Sequence, residues 1–375
     1  IKHNSSKYSL MNIAFYIDEM NLRGVANQTF LLAINNKKIL KNNSIIFYNQ
    51  KNYRNNKEVI KKFKKKFTTI GVSEFKDIDK FKKKYRLKFL YTQKSGNIDN
   101  WHSENIKTLV HAAYPQKLNQ IHGYNYAYVS DWLSENFSNN KIPVVSYMVD
   151  THKTKNNLKK KLNIKKDKII LGCHGGESSF DLKFTHDAIK NIVLTRKDIV
   201  FIFLNINKFI NHPRIKFLDG TLNESLKKMF VNTCDGMIYG RSLGESFGLA
   251  CAEFAIQDKP IISYKYNRHK NHKFCVPKSN FIEYGSYNDL YKILNNFNRR
   301  KRIKIPNKYK KLKPKKIMED FKKNFLINKK KKKFNIFDYF VNFYGFFYMN
   351  FNYLRHKLYN HYYNYFSSKI ISFKD

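Results

Sequence analysis

From Met11 onward, short apolar runs alternate with longer stretches in which apolar residues recur every three or four positions. The short runs predict buried strands and the longer stretches amphipathic helices, and their regular succession predicts parallel βαβ units. "MNIAFYID" (11–18) predicts a strand, "NLRG" (21–24) a turn and "VANQTFLLAINNKKIL" (25–40) a helix. "SIIFYN" (44–49) is a second strand and "NKEVIKKFKKKF" (56–67) the next helix. "KFLYTQ" (88–93), "IKTLVHA" (106–112) and "YAYVS" (126–130) follow as strands with short connections. The pattern closes near "IPVVSYMVD" (142–150), which makes residues 11–150 one doubly wound lobe.

A lysine- and asparagine-rich stretch, 151–168, has the composition of a linker carrying one short helix, and the alternation then restarts. Strands are predicted at 169–176, 199–205, 215–220, 236–240 and 260–264, and helices at 185–195, 223–234 and 287–297. A further helix is read in the glycine-punctuated stretch 240–259. Residues 169–298 thus form a second lobe, and the expected fold class is α/β with two Rossmann-like lobes and a cleft between them. A chain of 375 residues is long enough for two such cores.

From about residue 299 the chain becomes a basic, aromatic tail: "KKKKK" (329–333) precedes an aromatic run (334–366) dotted with Asn and His. It is too polar to cross a bilayer. The pattern leaves two readings open, an interfacial helix on an anionic membrane and a helix packed back across both lobes.

The chain holds 72 Lys+Arg against 28 Asp+Glu, a formal net charge of +44. Such an excess ordinarily points to nucleic acid or a membrane surface. Lys, Asn, Ile, Phe and Tyr are all abundant, as codon bias in an AT-rich genome produces, and the lysines are spread without a recognition module. No specific nucleic-acid partner is expected. Cys173, Cys234, Cys251 and Cys275 show no metal-ligand spacing and read as reduced core residues of a cytoplasmic protein. The first thirty residues have no signal-peptide core, and residues 1–10, ahead of Met11, read as a fragment or an upstream extension.

The candidate chemistry lies in "GRSLGESFGLACAEFAIQDKPIISY" (240–264). Ser246 is a natural N-cap, which would leave the N–H groups of Phe247, Gly248 and Leu249 facing outward at a helix N-terminus. Such an end attracts phosphate, and Gly248 lets a ligand approach the backbone. Glu253, in the second turn, is placed to accept hydrogen bonds from vicinal hydroxyls such as those of a ribose. Glu245, just ahead of the helix, is placed to touch whatever lies beyond the phosphates. A nucleotide diphospho-sugar has those parts in that order.

Over residues 11–298 the sequence resembles the two-lobed GT-B glycosyltransferases of the retaining family 4 (group 1) type. "GESFGLACAEFAIQDKPII" resembles their E-x7-E segment. His174-Gly175-Gly176, Phe180-Asp181 and Asn232-Thr233-Cys234-Asp235 stand in the order of further family motifs. The resemblance implies that Glu253 holds the donor ribose, that the Phe247–Leu249 backbone meets the diphosphate or sugar, and that Glu245 contacts the donor sugar. It implies that Gly24 lets a first-lobe loop approach the donor, and that His111 lines the sugar site, orienting the sugar or relaying a proton. The family's usual Arg after the glycine opening the second lobe is replaced here by Cys173. Lys183, Arg241 or His174 would then supply the positive charge that stabilises the leaving group.

The implied activity is transfer of a sugar from a nucleotide diphospho-sugar to a glycan, lipid or other acceptor, with no metal and no cofactor beyond the donor substrate. Its place is the cytoplasm, with the tail at the inner face of a membrane as a further expectation. The alternatives are a scaffold of the same fold with a degraded charge set, and an epimerase or phosphorylase of similar architecture. "DID" (77–79) has the D-x-D form of metal-dependent glycosyltransferases of the other architecture, but it begins a lysine-rich helix far from the motifs above and reads as surface.

Overall fold

A computed structural model describes residues 10–299, 306–327 and 333–372, with side chains through residue 366. The chain divides into two compact units, Ile1–Met148 with Pro314–Asn342, and Val149–Lys313 with Phe343–Asp375. The stretch 151–168 therefore belongs to unit 2, and the tail forms no unit of its own.

Unit 1 is built on six parallel strands in the order β3-β2-β1-β4-β5-β6. They are β1 (Asn12–Ile17), β2 (Asn43–Asn49), β3 (Thr68–Val72), β4 (Leu87–Lys94), β5 (Lys107–Ala112) and β6 (Asn125–Tyr128). Its helices are α1 (Gly24–Lys38), α2 (Lys57–Lys64), α3 (Lys82–Tyr85) and α4 (Asp131–Ser138), joined after the chain's return by α10 (Pro314–Phe321). The central strand β1 is buried almost throughout, as a parallel strand covered on both faces must be. Local chemistry sets the helix starts: the Asn56 side chain accepts from Glu58 N and Val59 N at 3.0 and 3.1 Å, capping α2.

Unit 2 repeats the plan with the order β14-β12-β10-β7-β8-β9. Its strands are β7 (Ile169–His174), β8 (Ile199–Leu204), β9 (Ile215–Leu218), β10 (Gly236–Tyr239), β12 (Ile261–Tyr264) and β14 (Phe281–Tyr284). The two-residue strands β11 (Gly244–Glu245) and β13 (His269–Lys270) pair apart from the main sheet. The helices are α5 (Lys183–Thr195), α6 (Glu224–Thr233), α7 (Leu249–Ile256), α8 (Asn271–Cys275) and α9 (Tyr287–Asn296). α11 (Ile336–Ser372) begins within the unit 1 segment and runs on through that of unit 2.

The predicted strands and helices of both lobes are found within a few residues of their expected bounds. Several elements were not anticipated, among them β3, β14, α4, α8 and α10. β3 and β14 are sheet-edge strands, partly exposed and so without a clean apolar run, and α4 is only 8 residues long. The helix expected in 151–168 is absent: the stretch is irregular, and it is held to unit 2 by buried Leu158, whose N–H donates to Thr233 Oγ1 at 2.8 Å. The lysine run 329–333 lies outside the described residues except for Lys333, and residues 1–9 lie outside them too.

The strand order decides where a ligand can sit. In unit 2 the connections run one way from β7 through β8 to β9, and the other way from β10 through β12 to β14. The carboxyl ends of β7 and β10 therefore flank a topological switch point, where open parallel sheets form their binding crevice.

Candidate functional site

β7 ends at His174, and β10 ends at Tyr239, two residues before Arg241. The turn after β10 carries Glu245 on β11 and leads into α7, which carries Glu253. These groups all stand at the switch point of unit 2.

Glu253 is 19% exposed and held from two sides. Lys227 Nζ, from α6, lies 3.1 Å from its Oε1. His174 Nε2 lies 2.8 Å from Oε2, close enough for an ion pair but off the line of a hydrogen bond. Burial alone would raise this carboxyl, but Lys227 and then His174 outweigh it and hold its pKa at about 2. Glu253 is thus a carboxylate at any physiological pH, able to accept hydrogen bonds and unable to donate one. The same pairing raises the Lys227 ammonium above its ordinary value.

Glu245 is bound at a single oxygen. Its Oε1 accepts from Tyr239 Oη at 2.6 Å and from Arg241 NH1 at 3.0 Å. Burial, with the Glu245 charge next, pushes the Tyr239 phenol well above its usual range, so it remains a donor. Its neighbour Gly244 has φ +68°, and a Cβ there would stand 2.1 Å from the His269 carbonyl oxygen. The β11–β13 pairing can thus form only around a glycine.

The helix start differs from the expected one. α7 begins at Leu249, and its N-cap is Gly248 at φ +91° rather than Ser246. The reason is tertiary. Tyr309 Oη and Asn271 Nδ2 both donate to the Phe247 carbonyl, at 2.7 and 2.6 Å, drawing that peptide inward. The chain then needs a left-handed residue to enter the helix, and glycine supplies it. The N–H groups without an intrahelical acceptor are consequently those of Leu249, Ala250 and Cys251 rather than those starting at Phe247.

Of the proposed positive groups, the structure brings Arg241 to Glu245 and His174 to Glu253. Lys183 is exposed at the first residue of α5 and makes no ion pair or hydrogen bond among the described residues. The nearby Asp181 does make contact, accepting from Ser242 N and Oγ, each at 2.7 Å, and so fixing the loop that carries Arg241. Cys173 is a core residue of β7, and burial raises its thiol, so it contributes no charge.

In unit 1, Gly24 is the first residue of α1, following the loop after β1. That loop lies at the β1/β4 switch point of the first sheet. His111 is different. It is 0% exposed on β5, among Tyr91, Tyr147 and Phe325. Its Nε2 lies 2.7 Å from the Val145 carbonyl and its Nδ1 2.7 Å from Tyr91 Oη. A carbonyl only accepts, so Nε2 carries the proton and Nδ1 accepts from the tyrosine. Burial lowers the imidazole to about 4, and the ring is neutral. With both nitrogens engaged it has no atom to turn to a sugar, so His111 stands as a core group rather than the sugar-site residue the sequence suggested.

Asp77 of the D-x-D stretch accepts from Glu74 N at 3.0 Å and pairs with Lys80 at 2.7 Å, while Asp79 accepts from Ser103 Oγ. Both are structural contacts of a short 3₁₀ turn. Among the described residues no group of three or more His, Cys, Asp or Glu is placed to hold a metal ion. All four cysteines are buried, and none forms a disulfide. Sequence reasoning missed Lys227, Tyr239, Asn271 and Tyr309. Lys227 had no distinguishing signal in a chain with 72 Lys+Arg.

No known family model matches the sequence, and no curated protein matches it. Solved structures do resemble it. A glycosyltransferase from Rickettsia africae ESF-5 superposes with a TM-score of 0.58 at 15% identity, over 85% of this chain and 95% of that one. Anabaena Alr3699/HepE in complex with UDP and glucose gives 0.55 at 12% identity, over 76% and 89%. The S. aureus MnaA–UDP co-structure gives 0.59 at 12% identity, over 87% and 100%. At such identities the likeness establishes the fold. The chain has the GT-B fold, with two Rossmann-like α/β units in one polypeptide.

Proposed function

We propose that this protein is a glycosyltransferase that moves a sugar from a nucleotide diphospho-sugar to a glycan, lipid or other acceptor, with retention at the anomeric carbon. The observation that carries the reading is the pair of acidic groups at the β7/β10 switch point: Glu253, held ionised by Lys227 and His174, and Glu245, tethered by Tyr239 and Arg241.

In this reading Glu253 accepts from the donor ribose hydroxyls and Glu245 contacts the donor sugar. The diphosphate lies at the N-terminus of α7, where the N–H groups of Leu249 to Cys251 and the helix dipole favour negative charge. When the bond from the anomeric carbon to the phosphate oxygen breaks, the electron pair leaves with the nucleoside diphosphate. Arg241, held beside Glu245, meets that charge in this reading, with Lys183 and His174 as further groups and without a metal. Unit 1, with Gly24 at its own switch point, takes the acceptor. Uridine nucleotides are the first donors to test, because the HepE and MnaA structures hold UDP.

The test is a thermal-shift and hydrolysis screen against UDP-, GDP-, ADP- and TDP-sugars, run on the parent and on Glu253→Gln. A donor that raises the parent Tm, leaves the variant unchanged and is slowly hydrolysed supports the reading. Conversion of the donor to an isomeric nucleotide-sugar would instead mark an epimerase. If no nucleotide-sugar shifts the folded protein, the transferase reading fails and a scaffold with a degraded charge set, as Cys173 suggests, replaces it.

A further inference from the structure

α11 is amphipathic in the reverse of the usual sense. The side it lays on the protein is rich in polar groups: Asp338, Asn342, Asn352 and His356 are at most 9% exposed, with Met349 among them. In unit 1, Asp338 accepts from Asn139 at 3.0 Å, and Asn342 donates to the Gln116 and Phe137 carbonyls at 2.9 and 2.7 Å. In unit 2, Tyr359 Oη accepts from Tyr287 N at 2.8 Å and Tyr363 Oη donates to Asp187 at 2.9 Å.

The opposite side is apolar and bare. Within unit 2, Phe343, Phe347, Phe351, Leu354, Leu358, Tyr362 and Tyr365 form one row, and all seven are 47% to 69% exposed. The step averages about 3.7 residues, close to the pitch of a straight α-helix, and the row runs for about 33 Å. Soluble chains rarely leave so long a contiguous apolar strip in water.

We propose that this strip is the docking surface of the protein on an anionic lipid bilayer, with α11 lying in the plane of the interface. Three observations select this occupant. First, the row repeats every 11 residues, which drifts only about 20° per repeat on a straight helix, so it keeps to one side and meets a flat surface. A second copy wound in the common left-handed pair would need a repeat of seven. Second, the strip is aromatic, mixing Phe with Tyr, the composition of the headgroup boundary, and no helix among the described residues is long and apolar enough to cross a membrane.

Third, its charge is of one sign. Residues 339–366 contain Arg355 and Lys357 and no Asp or Glu. Neighbouring cations of unit 2 edge the strip: Lys270 Nζ sits 4.4 Å above the Tyr348 ring, and Arg355 packs over Tyr266 and Phe351 at 4.3 and 5.9 Å. Anionic headgroups match such a rim.

The experiment is flotation of the full chain with phosphatidylcholine vesicles, with and without phosphatidylglycerol, at roughly physiological salt. The parent is expected to float with the anionic vesicles at least tenfold more than with the neutral ones. Phe347→Asp/Phe351→Asp is expected to lose that binding at an unchanged Tm, since both side chains point outward. In Phe347→Trp, the indole emission should shift to the blue on anionic vesicles alone. Failure of the parent to float, or equal flotation of the double variant with its Tm intact, overturns the proposal. So does a parent dimer in sedimentation that the double variant abolishes while vesicles capture neither. No donor is present in any arm, so this outcome is independent of the transferase reading.

Discussion

Lys227 on α6 holds its ammonium 3.1 Å from a carboxylate oxygen of Glu253 on α7, joining two helices that sequence alone leaves unrelated. The contact fixes both the position and the charge of the group assigned to the ribose. Lys227→Met removes the largest force lowering the Glu253 pKa and leaves the burial that raises it. Donor binding should weaken at least tenfold, and stability should fall by about 3 kcal/mol, as for other broken buried pairs. Titration calorimetry and chemical denaturation measure the two effects.

The same carboxylate predicts an acid limb in stability. Its folded pKa of about 2 lies below the ordinary 4.5, so its contribution is full above pH 4.5 and disappears as pH falls toward 2. In Lys227→Met this limb should move toward neutrality. A pH series of melting curves that superimpose for parent and variant would refute the pairing.

His111 predicts a second limb at higher pH. Its folded pKa of about 4 lies below the ordinary 6.5, so the unfolded chain takes up the proton first and stability declines as pH falls from 6.5 to 4. The loss is about 3 kcal/mol by linkage. His111→Gln should reduce the slope in this window, to which buried His269 and His272 also contribute, and leave the lower one. If donor turnover rather than stability collapses in the variant, the ring acts at the site after all.

Gly248 carries both a positive φ of +91° and a crowded Cβ position, 3.1 Å from Tyr309 Oη. Gly248→Ala should lower stability by about 1 to 3 kcal/mol through backbone strain. Part of the loss should be recovered in a Tyr309→Phe background, which clears the contact but keeps the φ. A double-mutant cycle on denaturation midpoints reads the coupling, and strict additivity would show that the crowding is not felt.

Asp258 is buried between Lys153 and Lys310, with N–O distances of 2.7 and 2.6 Å. Asp258→Asn keeps the shape and the tolerance of its positive φ, +58°, while removing the charge. Stability should fall by about 2 kcal/mol, because the two ammonium groups lose their common partner. Equal midpoints in urea would show that solvent already screens the pair.

Much of this architecture was legible because central parallel strands are continuous apolar runs. "IVFIFL" of β8 can be little else, and the alternation of such runs with helical spacing dictates two doubly wound sheets. Edge strands such as "TTIGV" and "FIEY" escaped, since a half-exposed strand needs no clean pattern. Glu245 and Glu253 could be picked out because local spacing about a glycine turn carries them. The helix start could not: the Phe247 carbonyl is claimed by Tyr309 and Asn271, so Gly248 rather than Ser246 becomes the cap.

Sequence by itself determined the periodicities, and with them the strands, the helices, the two lobes and an aromatic, basic tail. Tertiary structure alone decided which of many lysines meets Glu253, that His111 is sealed in a core, and which side of α11 remains bare. The physical reason is one of range. Backbone preference and hydrophobic spacing act over a few neighbouring residues, whereas a buried charge or a covered helix face depends on partners far along the chain that only the folded packing brings near.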